Sequence, residues 1–321
     1  MKLLNPVIVR GNELVVPKKD GGGLRFVVDY KPVNSITVSD NYPMPRMDDM
    51  IATLGECSYF STFDLSKGFH QIEMNPSDKI KTAFISHRGA WQFKRMPMGL
   101  KNSPATFQRC VDTVLGYLKW KFCAVYFDDI VVFSKTFEDH MYHIKEVLKR
   151  VQAAGLTINP RKVQLCRQKF RFLSFIITPG KCAPDPEKVA VHNNYPVPKT
   201  KKDIQKFLGL AAFYRRFIDG FSLTAKLLTN LIKKKDVDFE WSDETQIAYD
   251  CIRNSLTDLS QLFWPDLNKP FIIQTDASEV GSGAILMQER DSLRLPIWFA
   301  SRVLKNAETR YSVSEKKCLA V

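Results

Sequence analysis

Apolar positions along this 321-residue chain switch repeatedly between the two-residue period of strands and the three-to-four-residue period of helices. LRFVVDY at 24–30 is β-rich and follows the turn KKDGGG, where Gly21, Gly22 and Gly23 allow positive φ. YFSTFDL at 59–65 predicts a second, aromatic strand. SPATFQRCVDTVLGYL at 103–118 predicts a helix with Ser103 as N-cap and Pro104 at the first helical position. Its apolar residues Phe107, Val111, Val114, Leu115 and Leu118 fall on one face. Residues 122–134 predict two short strands in a hairpin. HMYHIKEVLKRVQAAG at 140–155 predicts an amphipathic helix with Ile144, Val147, Leu148 and Val151 inward and Gly155 as C-cap.

Beyond FLSFIITPGKCAPDPEKV the pattern changes. Pro179, Pro184, Pro186, Pro196 and Pro198 predict a stiff connector over 179–198, followed by a basic helix over 201–221. A last unit opens near Lys269 with the strand–turn–strand pattern KPFIIQTDASEVGSGAILMQ. The chain ends at Val321 in the predicted start of a helix, so this final unit is expected to be cut short. No internal repeat or low-complexity tract interrupts the order.

Two carboxylates break the apolar pattern. In AVYFDDIVVFS at 124–134, Asp128 and Asp129 lie between two apolar runs with no Lys or Arg in the stretch. A buried, unpaired carboxylate costs several kcal/mol, so it is normally neutralised by a proton or a counter-charge. Asp64 stands in a similar setting. If the strands of Asp64 and the hairpin are sheet neighbours, the acids converge, and a divalent cation is the natural counter-charge. Mg²⁺ prefers oxygen ligands and keeps places for water and substrate phosphates. Two such ions about 3.5–4 Å apart can activate a hydroxyl and hold a leaving pyrophosphate. Paired aspartates at a hairpin tip also suit a plain turn, which is the competing explanation.

Charge adds a partner class. The 47 Lys and Arg outnumber the 34 Asp and Glu, for a net charge of +13 and a pI near 9.3. A polyanion is therefore the first partner to consider. The excess concentrates between Lys188 and Lys235, a run that also fits an ordinary solvated surface. Seven scattered cysteines with no C-x-x-C pair argue against a zinc site or a disulfide framework and for a reducing compartment. No apolar run approaches the roughly 18 residues of a membrane span. A soluble, intracellular protein is expected.

At this point whole motifs become recognisable. YFDDIVVFSKT resembles the Y-x-D-D box of reverse transcriptases, and STFDLSKGFHQIEM resembles their first catalytic-aspartate motif. KTAFISHRGAWQFKRMPMGLKNSPATFQR, GLTINPRK and KFLGLAAFYRRFI resemble the gypsy-type branch of long-terminal-repeat retrotransposon pol polyproteins. The resemblance runs from about Asn5 to Val321 in the family's order. It implies an α+β right-hand polymerase: fingers, a palm whose antiparallel sheet carries the Asp hairpin, and a helical thumb. A truncated RNase H-like α/β unit then follows. The expected boundaries are 1–185 for fingers and palm (fingers about 1–58 and 75–110, palm about 59–74 and 111–185), 186–265 for the thumb and connector, and 266–321 for the partial RNase H-like domain.

The same resemblance assigns residues. Asp64, Asp128 and Asp129 match the palm acids that hold two Mg²⁺ ions, with Mn²⁺ as a substitute. Phe69 matches the aromatic gate that excludes a ribonucleotide 2′-hydroxyl, where the family more often has Tyr; a core Phe is the plain alternative. Lys18 or Lys19, together with Arg25, match fingers cations that hold the incoming triphosphate, though KKDGGG taken alone is a plain solvated turn. Met98 and Gly99 match the segment lining the nucleotide pocket, though Met98 equally fits core packing. Leu173, Ser174 and Phe175 stand at the primer grip, where the family reads F-L-G-H, so Ser174 and Phe175 are departures. The fingers segment before the basic turn is also irregular.

Asp276, in TDAS, matches the first metal-binding acid of RNase H. Lys317 holds the place of the next acid, and Glu315 lies about 200° around the helix from it. No RNase H activity is expected from this chain. The implied function is RNA-directed DNA polymerisation on an RNA template, with a DNA primer or RNA/DNA hybrid and deoxynucleoside triphosphates. The competing class is a decayed or co-opted element that binds nucleic acid without copying it. A slice of a longer polyprotein is expected, in cytoplasmic virus-like particles with the nucleus as the alternative, and with no membrane partner.

Overall fold

The structure, a computed structural model, describes residues 11–17, 24–55, 57–87, 89–193, 195–233, 239–257 and 261–321. The chain forms two compact units. One comprises Met1–Thr53 with Cys57–Gln168, the other Leu54–Glu56 with Lys169–Val321.

The first unit runs β1 (Gly11–Pro17), β2 (Leu24–Val28), α1 (Lys31–Ile36), α2 (Met47–Thr53), β3 (Tyr59–Asp64), α3 (Pro76–Lys79), β4 (Phe84–Ser86), β5 (Gly89–Trp91), α4 (Ser103–Leu115), β6 (Cys123–Tyr126), β7 (Asp129–Ser134), α5 (Phe137–Ala153) and β8 (Gln164–Arg167). Two four-stranded sheets result, in the orders β2–β1–β4–β5 and β6–β7–β3–β8. The second sheet is antiparallel throughout. Alternation places Phe63, Ile130 and Val132 on one of its faces, where they join Phe107, Val111 and Leu115 of α4 and Val147 and Val151 of α5 in one core. Each such buried side chain contributes up to about 1.5–3 kcal/mol.

Local signals explain the helix ends. The Thr136 side chain caps α5 by accepting the Asp139 N–H at 3.2 Å. At the other end Gly155, with φ of 68°, lets the Leu156 N–H reach the Val151 carbonyl. Two expectations need correcting. Leu148 is 37% exposed rather than part of the core face. Ser103 is not the cap of α4: Asn102 occupies that position, and the Ser103 hydroxyl donates to the Pro97 carbonyl at 3.0 Å.

The second unit runs β9 (Phe170–Phe172), β10 (Phe175–Thr178), β11 (Lys181–Pro184), α6 (Pro186–Asn193), α7 (Lys201–Phe213), α8 (Phe221–Lys233), α9 (Asp243–Thr257), β12 (Leu262–Phe263), β13 (Ile272–Ala277), β14 (Gly281–Arg290), β15 (Leu293–Val303) and α10 (Val313–Ala320). Its sheets are β12–β11–β10–β9 and β13–β14–β15. The expected stiff connector over 179–198 is instead largely regular. Pro184 ends a strand and Pro186 opens a helix, both positions that need no proline N–H. The expected helix over 201–221 is broken by a 3₁₀ turn at Arg215–Phe217 and by Gly220, at φ 61°. The units part at Gln168/Lys169, just ahead of the sheet in which β9 pairs with β10 and β10 with β11.

Candidate active site

Asp64 is the last residue of β3 and Asp129 the first of β7, and the two are register partners. Directly opposite residues project from the same face with Cβ atoms about 4.5–5.5 Å apart. Tyr126 pairs with Asp129 across the β6–β7 hairpin, which leaves Phe127 and Asp128 as a two-residue turn. The Leu65 N–H donates to the Asp128 carbonyl at 2.9 Å, fastening that turn to the end of β3.

The turn is held under strain. Phe127 has φ of 52°, a left-handed conformation that costs a bulky residue about 1–2 kcal/mol. Gln108 of α4, fully buried, restrains it. Its Oε1 accepts the Phe127 N–H at 3.3 Å, while its Nε2 donates to Asp112 Oδ1 at 2.9 Å. Strain of this kind persists only where the surroundings over-determine the backbone.

The acids perturb one another. Burial pushes the Asp128 carboxyl up to about 6, Asp64 and then Asp129 push the same way, and Lys162 opposes them. Asp129 is raised as well, by desolvation of its carboxyl and then by Asp64, although the residue as a whole is exposed. Asp64 accepts an ion pair from Lys162, with Nζ 2.9 Å from Oδ2. That lysine is delivered by the segment after α5, where the Asn159 N–H donates to the Asp64 carbonyl at 2.8 Å. Gly68 closes the floor of the site. A Cβ there would lie 2.9 Å from Asp128 Cγ and 2.8 Å from Phe107 Cζ, so no larger residue fits without displacing the carboxylate.

Among the described residues, no group of three or more His, Cys, Asp or Glu side chains is disposed to hold a metal ion as it stands. Lys162 already takes one oxygen of Asp64. The donor set still suits a hard divalent cation, because Asp128 Oδ1 is buried with no hydrogen-bond partner. Two neighbouring acids with raised proton affinity also call for a positive charge. A cation bound through Asp64 Oδ2 requires Lys162 to withdraw from it.

The remaining sequence-predicted residues lie in varied places. Phe69 follows Gly68 on a 3₁₀ turn and packs on the core, its ring 5.3 Å from that of Phe107. Gly99 has φ of 92° on the loop before α4, and its carbonyl accepts from Asn34 Nδ2 at 2.8 Å. Met98 precedes it, half-buried. Lys18 and Lys19 lie outside the described residues, as does the side chain of Arg25, whose backbone pairs with Val16.

In the second unit, Leu173 and Ser174 form the β9–β10 turn with φ of 49° and 70°. The family's glycine at the Ser174 position would adopt that conformation freely; the serine is strained there. Phe175, the third residue expected at the primer grip, follows that turn as the first residue of β10. It is 3% exposed, stacked at 5.3 Å on Phe213 and at 5.6 Å on Phe217, so its ring is core and not surface. Asp276 is exposed on β13 opposite Gly283, its Oδ1 accepting the Ala277 N–H at 2.8 Å. Glu315 is engaged in a capping box with Ser312 at the start of α10.

Sequence reasoning missed Gly68, Gln108 and Lys162. A signal existed for Gln108, a polar residue beside Phe107 with Val111 and Asp112 one helical turn on.

Comparison with known proteins is consistent along the chain. Residues 16–177 match the profile of the reverse transcriptase (RNA-dependent DNA polymerase) family. Residues 241–321 match the RNase H-like domain found in reverse transcriptase. The chain is 40% identical over 96% of its length to the retrovirus-related Pol polyprotein of transposon 297 from Drosophila melanogaster, covering 29% of that protein. It is 36% identical over 92% of its length to the Pol polyprotein of transposon gypsy from the same organism, again covering 29%. With the transposon Tf2-3 polyprotein of Schizosaccharomyces pombe it shares 34% identity over 96% of its length, covering 23%. The chain thus spans less than a third of the length of these curated relatives. Among solved structures, a foamy viral protease–reverse transcriptase bound to double-stranded DNA matches with a TM-score of 0.86 and 28% identity, over 97% of this chain and 54% of that one. The foamy viral enzyme bound to an RNA/DNA hybrid matches with a TM-score of 0.76 and 28% identity, over 97% and 42%.

Proposed function

The chain belongs to the reverse transcriptase family, and from that premise we propose that it is the polymerising segment of a gypsy-type retrotransposon Pol protein. It extends a DNA primer with deoxynucleotides on an RNA or DNA template. The observation that carries this reading is the convergence of Asp64, Asp128 and Asp129 at one end of the β3–β7 pair, with Asp128 Oδ1 left as a buried acceptor.

Asp64 and Asp128 would hold two Mg²⁺ ions, with Asp129 beside them. Bound there, the ions would lower the pKa of the attacking 3′-hydroxyl and stabilise charge on the departing pyrophosphate. Gly68 keeps space beside Asp128, and Gln108 keeps the Phe127–Asp128 turn from relaxing. Phe69, next to Gly68 in sequence, would sense the sugar on this reading. The basic residues between Lys188 and Lys235 supply charge for a nucleic-acid backbone. On the same reading this segment lacks RNase H activity, because Lys317 stands where the family has the acid that would partner Asp276.

Primer extension on an oligo(dT)/poly(rA) hybrid tests the reading. The protein extends the primer, and Asp128→Asn abolishes extension while hybrid binding stays nearly unchanged. Extension that survives Asp128→Asn would refute it.

A further inference from the structure

Behind the carboxylates, on the face of the sheet covered by α4 and α5, lies a buried polar chain the reaction does not use. His140 of α5 is fully buried. Its Nε2 is 2.8 Å from Ser61 Oγ of β3, and its Nδ1 is 2.8 Å from Ser134 Oγ of β7. The Cys166 N–H of β8 donates to Ser61 Oγ at 3.0 Å. Ser134 Oγ is also 2.8 Å from His143 Nδ1. Helix α5, β3 and β7 meet at one imidazole, and β8 joins them through Ser61.

Proton bookkeeping gives the chain a direction. A neutral histidine has one ring donor and one ring acceptor, and a hydroxyl has one proton to give. Ser61 Oγ accepts from Cys166, so its own proton goes to His140 Nε2. The Nδ1–H of His140 then donates to Ser134, whose hydroxyl oxygen also lies at hydrogen-bond distance from His143 Nδ1. The reverse order would leave the Ser61 proton without an acceptor. Burial, with His143 adding to it, pushes the His140 imidazole down to about 4, so the neutral ring is the stable form.

We propose that His140 is a positioning residue for the carboxylate site, pinning the strand that ends in Asp64 to the strand that begins with Asp129. Ser61 lies three residues before Asp64, and Ser134 ends the strand that Asp129 opens. Mutually repelling acids at the end of a two-strand ladder tend to splay it; a side-chain bridge across the same two strands opposes that. The metal-binding part of the inference rests on the function proposed above. The strand-pinning part does not.

Three readouts test it. In metal-free protein, amide exchange at Leu65, whose N–H bonds to the Asp128 carbonyl, quickens in His140→Leu. Mn²⁺ affinity without nucleic acid, followed by electron paramagnetic resonance, falls about tenfold, as loss of supporting hydrogen bonds does elsewhere. In extension assays kcat falls while KM for primer–template holds. His140→Asn, which can still donate to Ser134, recovers part of each. A folded His140→Leu protein with unchanged Leu65 exchange, Mn²⁺ affinity and kcat overturns the proposal. Should His140→Leu not fold, Ser134→Ala decides: faster Leu65 exchange supports the proposal, and unchanged exchange overturns it. Failure of the wild type to extend primers would count against the polymerase reading alone, since Leu65 exchange needs no activity.

Discussion

Asp64 and Asp276 sit in like positions, each at or next to the end of a strand in an antiparallel sheet, yet their surroundings differ sharply. Asp64 faces Asp129 across the ladder, with Asp128 in the adjoining turn and Lys162 bridging to its carboxylate. Asp276 faces Gly283, is exposed, and satisfies one oxygen with the next residue's N–H. Local sequence marks both as acids on strands. What separates them is the company around Asp64: Asp128 and Asp129 lie near enough for Asp64 to raise the proton affinity of both, and Asp128 Oδ1 is buried with no hydrogen-bond partner.

That contrast can be broken or sharpened experimentally. The largest effect is on chemistry. Asp64→Asn lowers primer extension by about 10³-fold or more, equivalent to about 4 kcal/mol of transition-state stabilisation, whereas Asp276→Asn leaves it unchanged. Comparable losses from both would mean the two aspartates serve one reaction.

Stability of the metal-free protein gives the next effect, with opposite sign. The folded-state pKa of Asp128, about 6, lies above its ordinary 3.8. Below the ordinary value the carboxyl is protonated in both states and carries no penalty. As pH rises from about 4 to 6 the unfolded chain ionises first, so folding loses stability through that window. Asp128→Asn removes the penalty. Allowing for partial exposure it is worth about 1 kcal/mol, so melting at pH 7 rises by about 2–4 °C, with little change at pH 4. Asp276→Asn should leave melting where it was. His140 contributes in the other direction, because its neutral form is favoured and stability is lost as pH falls from 6.5 toward 4. Difference curves against each variant, and not the parent curve alone, therefore separate the two groups. No rise at pH 7 for Asp128→Asn would mean the acids are less strained than their geometry implies.

The smallest effect concerns the β9–β10 turn. Ser174→Gly relieves a φ of 70° and stabilises the second unit by up to about 1 kcal/mol, read by urea unfolding. A loss of stability instead would show that the serine side chain contributes something its backbone strain conceals.

Much of this site is written in local pattern. The apolar runs around Asp64 and Asp128–Asp129, the α5 periodicity and its Gly155 stop all report short-range rules, and each stands where those rules put it except Leu148, which is left exposed. What could not be read depends on neighbours distant in sequence. Lys162 meets Asp64 across 98 positions, and Ser61 meets His140 across 79. Phe175 was legible as a departure from the family but not as core, because its burial comes from residues 213–217. The prolines of 179–198 misled for a related reason. A proline at a strand end or a helix start costs nothing, and only the surrounding pairing shows which positions those are.

The central claim is that Asp64, Asp128 and Asp129 together make a cation site, and metal binding without nucleic acid tests it most directly. Mn²⁺ titration followed by electron paramagnetic resonance should show binding that Asp64→Asn and Asp128→Asn each weaken by tenfold or more. Asp276→Asn should leave it intact, and Lys162→Ala, which frees the Asp64 oxygen, should tighten it. Mn²⁺ binding indifferent to Asp64 and Asp128 would contradict the account.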